Sequence, residues 1–82
     1  MPSDDMERAA NAYAKDMRKL RQSALDDIDR ARELLGFGDT GGAVDSLFRA
    51  VKDMHNAYMM GEIARAYETC ASWCGEVERD EG

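Results

Sequence analysis

The stretch VDSLFRAVKDMHNAYMMGEIARAYETCASWC, from Val44 to Cys74, decides how this chain folds, because its apolar stripe changes direction partway along. Val44, Leu47, Val51, Met54 and Tyr58 recur at steps of three and four, which at about 100° per residue places them on one face of an α-helix. Beyond Tyr58 that face turns polar, at Gly61, Glu62, Arg65, Glu68 and Ser72. A second apolar series, Met60, Ile63, Tyr67, Cys70 and Cys74, appears about 130° further round by the same arithmetic. A straight helix carrying both series needs two different partners. The expectation is a second arm bent or split near Gly61, with helix 2 over about 42–60 and helix 3, or a continuation, over about 62–77. The acidic tail from about 78 to 82 puts negative charge at the negative end of the dipole and is expected to fray.

Upstream, Met6, Ala10, Tyr13, Met17, Leu20, Ala24, Ile28, Ala31 and Leu35 form a nearly unbroken helical stripe, with one phase adjustment between Ala24 and Ile28. The spacing predicts helix 1 over about 4–35, with Ser3 or Asp4 as N-cap and Glu7 three residues after Asp4 in a capping-box arrangement. Such a helix is roughly 45 Å long, the length of a bundle strut. Gly36 is expected to end it in the left-handed conformation, with Phe37 folded back on the last turn. Asp39 or Thr40 can cap the next helix, whose first turn is weakened by Gly41 and Gly42 at about 1 kcal/mol each. So short a connection, residues 36–41, forces an antiparallel hairpin.

Composition agrees with an all-α class. The 82 residues include one Pro, and four of the seven Gly cluster between 36 and 42 rather than punctuating short β-rich runs. A single domain of this size buries only about 60% of its unfolded surface, so a homo-oligomeric bundle, dimer or higher, is expected. A net charge of −6 argues against general nucleic-acid binding, which concentrates positive charge to release phosphate counterions. The N-terminus shows no basic start followed by an apolar run, and no stretch approaches the ~20 apolar residues that span a bilayer. The expected location is cytoplasmic, with Cys70 and Cys74 as reduced thiols.

Catalytic chemistry finds no support in the residues. His55 is the sole histidine, and no Ser/His/Asp grouping is present. Cys70 and Cys74 lie one turn apart, whereas zinc takes about four ligands; they read as structural thiols. No metal and no cofactor are expected, the Glu-x-x-His pattern of di-iron bundles being absent. GFGDTGG lacks the Gly-Lys-Ser/Thr ending of a phosphate-binding loop and reads as a helix connection. Two surfaces remain. Met54, Tyr58, Met59, Met60, Ile63, Tyr67 and Trp73 offer polarizable, adaptable side chains suited to a subunit or protein-partner interface. Arg18, Lys19 and Arg21, beside Tyr13, concentrate positive charge and could clamp a phosphate-bearing ligand between symmetry-related hairpins.

Two resemblances bear on these surfaces. Arg30-Ala31-Arg32-Glu33-Leu34-Leu35-Gly36-Phe37-Gly38-Asp39, continued by Ala43, Leu47 and Ala50, resembles one tetratricopeptide-type hairpin; the pattern does not recur, and such arrays need about three units. Ala57-Tyr58-Met59-Met60-Gly61 with Ile63 is similar to the second helix of the hairpin domain in phage proteins that sequester cyclic oligonucleotide signals. That likeness implies an anti-defence role in a host cytoplasm. The family's usual Trp and Lys positions are unmatched, so no binding residue is carried over. The expectation is a small acidic, non-catalytic helical interaction protein that self-associates or binds a partner protein. The alternatives are a nucleotide or cyclic-oligonucleotide sequestering protein, or a phage-type inhibitor of a host protein.

Overall fold

Asp39 serves both arms of the molecule. In a computed structural model, which describes the backbone from Pro2 to Glu81 and the side chains from Asp4 to Cys74, α1 spans Pro2–Gly36 and α2 spans Thr40–Glu81. The amide of Asp39 donates to the Leu34 carbonyl at 2.8 Å and that of Gly38 to Leu35 at 3.0 Å, the paired bonds of a Schellman C-terminus. The Asp39 carboxylate then accepts from the Gly42 amide at 2.9 Å, capping α2. Of the two expected caps the chain uses Asp39. A Cβ on Gly42 would stand 2.5 Å from that carboxylate, so glycine makes room for the cap as well as weakening the first turn.

Several boundaries differ from expectation. The left-handed residue is Gly38, at φ 82°, not Gly36. Placed there, it lets one residue close α1 and open α2, and the connection shrinks to Phe37, Gly38 and Asp39. Phe37 does not fold back; it is 87% exposed at the tip. Helix α1 begins at Pro2, a residue tolerated in a first turn, where its missing N–H costs nothing. Ser3 and Asp4, the two expected N-caps, therefore fall inside the first turn of α1 instead of ahead of it; the side chains of the acidic tail lie outside the described residues, while the backbone is helical to Glu81.

Helix α2 is one unbroken helix of 42 residues, so the arm is not divided at Gly61. The pair forms a rod of 66 × 13 × 11 Å, and about 63 Å of that length is what α2 alone requires. The glycine has another use. A Cβ at Gly61 would lie 2.9 Å from the Met17 sulfur, so Gly61 receives Met17 from α1. A glycine costs about 1 kcal/mol in a helix interior, too little to break α2 where packing continues on both sides.

The two helices meet along a line of small residues. Ala10, Ala24 and Ala31 in α1, and Ala43, Ala50, Ala57, Ala64 and Ala71 in α2, are at most 5% exposed. Each set repeats every seventh residue, with Met17 filling the one larger position of α1. A seven-residue repeat keeps one edge of each helix toward its neighbour, and alanine at that edge lets the backbones approach closely. Among the described side chains only these alanines and Ser46 are buried. A contact between two helices leaves every larger side chain beside the alanine line, partly in water.

Candidate interaction surface

The alanine line has two flanks, and they form two faces of the rod. Residues three positions beyond each alanine lie on one flank and residues four beyond on the other, each about 50° from the line. In an antiparallel pair the matching flanks of the two helices share a side. The front face is identified by the Tyr13–Tyr67 stack, with centroids 5.7 Å apart and planes 9° from parallel, and by the Ser23 hydroxyl donating to Asp53 at 2.8 Å. The back face carries a shallow groove bordered by Met17, Arg21, Met54, Ala57 and Tyr58.

Each face is apolar over a different half of the rod. Near the open end the front holds Met6, Tyr13, Leu20, Met60, Ile63, Tyr67 and Cys74, all half-buried. Near the loop the same face is largely polar, with Ser23, Asp27, Asp53 and Asn56. The back face is the reverse. Around the loop it presents Leu25, Leu35, Val44, Leu47, Val51, Met54 and Tyr58, with Phe48 at its edge. Phe48 is 69% exposed, Tyr58 66% and Val51 58%. Toward the open end the back face turns to Glu7, Gly61, Arg65 and Glu68. The change of direction within Val44–Cys74 is therefore a change of flank on a continuous helix, and the phase adjustment between Ala24 and Ile28 is the same crossing made by α1.

This placement sorts the expected site residues. Met54 and Tyr58 belong to the exposed back-face patch. Met59 and Trp73 are exposed on the outer side of α2, away from α1. Met60, Ile63 and Tyr67 are half-buried on the front face, where the Tyr67 ring stacks on Tyr13 of α1. Of the proposed ligand clamp, Arg18, Lys19 and Arg21 are exposed. Tyr13 lies about 140° round α1 from Arg18 and about 120° from Lys19, its ring engaged by Tyr67, so the four do not converge. Arg21 instead borders the groove with Tyr58.

The residues missed by the stripe reading are Val44, Leu47, Val51 and Phe48 as outward-facing groups, and Leu25 and Leu35 beside them. The signal was present: alanine at every seventh position of both helices marks a contact edge, and whatever large residue lies off that edge is left outside. Cys70 and Cys74 are free thiols, the first exposed and the second half-buried. Among the described residues no three His, Cys, Asp or Glu side chains come together as a metal site, and no helix is long and apolar enough to cross a membrane. Comparison with protein-family models, curated proteins and solved structures finds no match to this chain.

Proposed function

We propose that this is a non-catalytic helical interaction protein that works by self-association through the apolar, loop-proximal part of its back face. One observation carries the reading. Large apolar side chains, from Leu47 at 43% to Phe48 at 69% exposure, gather on one face of a hairpin whose buried interior holds alanine and one serine. Contiguous patches of this kind mark interaction sites in soluble proteins, and burial of apolar surface yields roughly 25 cal/mol per Å². A two-helix hairpin whose described side chains bury nothing larger than serine lacks the core that a chain of this size needs to fold alone. Association supplies that core.

Val51, at the middle of the patch, is the residue to test. Sedimentation equilibrium at micromolar concentration is expected to give an oligomer for the native chain. A monomer with reduced helical content is expected for Val51→Glu, because a buried unpaired carboxylate costs several kcal/mol. A native chain that sediments as a fully helical monomer overturns the reading.

A further inference from the structure

The back face is complementary to itself, and we infer that its occupant is a second copy of this chain, antiparallel, related by a two-fold axis that passes beside Val51. This rests on the proposed association and goes on to name the geometry. Two hairpins placed back to back by such an axis set α2 against α2 in opposite directions. Val51 meets its own equivalent, and Val44 meets Tyr58 of the second copy. Isologous contacts of this kind are the commonest way homodimers form.

Two observations favour this register. First, the exposed apolar surface of the patch is on the order of the ~800 Å² that a standard interface takes from each partner. Second, the tip matches a hollow. At 1.5 Å per residue, Phe37 stands about 18 Å from Val51 toward the loop, and the Gly61–Arg65 turn stands about 18 Å away on the other side. Phe37 is 87% exposed, and the back face at that second level is a groove floored by Ala14, Gly61 and Ala64. The two-fold axis brings each tip over the other copy's groove. The alternative, with both loops at the same end, lays the two tips beside one another and leaves each groove without a Phe37 over it.

The two arrangements differ in length. With rods of 66 Å overlapping only over their loop halves, the antiparallel dimer is roughly 95 Å long, whereas the parallel one stays near the length of a single rod. Small-angle scattering of the full chain is expected to give a dimer mass and the longer dimension. In a Cys70→Ser, Cys74→Ser background, Val51→Cys is expected to form a reducible disulfide-linked dimer, because the axis places the two thiols side by side. Phe37→Ala is expected to raise the dimer dissociation constant about tenfold, the loss of an aromatic anchor from its pocket. A dimer only as long as one rod, unlinked at Val51→Cys and still dispersed by Val51→Glu, overturns this register while leaving the association itself standing. A monomer indifferent to Val51→Glu overturns both.

Discussion

The loop half and the open half of the rod share one alanine line and differ in where the large side chains lie. In the open half those side chains are on the front, half-buried, with Tyr13 and Tyr67 stacked at 5.7 Å. In the loop half they are on the back, and Phe48, Tyr58 and Val51 are each more than half exposed. The open half thus uses its large residues to cover the helix pair from one side, while the loop half leaves its own for another molecule. What holds the two halves in register is the close approach at alanine, common to both. Side-chain volume on that line is therefore the most sensitive quantity in the molecule.

Ala50 and Val51 are neighbours on opposite sides of this division and give the largest expected contrast. Ala50 is 1% exposed on the line. Adding three carbons there in Ala50→Leu must push α1 away over several turns, since rigid helices cannot part at one level only. Overpacking in cores costs about 1–3 kcal/mol, and the upper end is expected here, read as urea unfolding at one fixed protein concentration. Val51→Leu, which adds one carbon outside the contact between α1 and α2, is expected to cost less than about 1.5 kcal/mol, as apolar swaps of similar volume do where neighbours can repack. Equal losses from both substitutions would erase the distinction between line and patch.

Much of this was legible in the residues. The helical class, the antiparallel hairpin, a cap at Asp39 or Thr40 and the mismatch between the two seams of α2 all follow from spacing and turn chemistry. The cause of the mismatch did not. Apolar periodicity weights large residues, and in this chain the contact edge is carried by the smallest apolar residue, so the stripe arithmetic followed the side chains that flank the contact. Gly61 was misread for a related reason. A glycine beside a change of seam resembles a hinge on one strand, and only the opposing Met17 reveals it as a receptacle.

The Met17–Gly61 pair sharpens the open half in the same way. It is the one level where α1 presents a larger residue on its line, and α2 answers with no side chain at all, the Cβ position lying 2.9 Å from sulfur. Gly61→Leu is expected to cost about 2 kcal/mol through overpacking, partly offset by the roughly 1 kcal/mol gained when glycine leaves a helix interior. Met17→Ala in the same chain is expected to recover most of the loss by exchanging knob and hollow. A double-mutant cycle reads the coupling directly, and a coupling near zero would mean that the glycine serves something other than Met17.

The smallest expected effects separate two polar groups on the front face of the loop half. Asp53 accepts a hydrogen bond from Ser23 at 2.8 Å across the helix pair. Ser46, one helical repeat earlier on the same flank, is 1% exposed, and its hydroxyl has no partner. A buried polar group left unsatisfied costs roughly 1–3 kcal/mol, and serine is also a poorer helix former than alanine by about 0.5 kcal/mol. Ser46→Ala therefore extends the alanine character of the contact and is expected to stabilise the chain by about 1 kcal/mol. Ser23→Ala removes a satisfied bond at an exposed site and is expected to destabilise it by about 0.5 kcal/mol. The same serine-to-alanine change thus carries opposite signs one seven-residue repeat apart, measurable as opposite shifts in thermal midpoint at fixed concentration. A loss of stability on Ser46→Ala would show that this hydroxyl is bonded in the assembled protein.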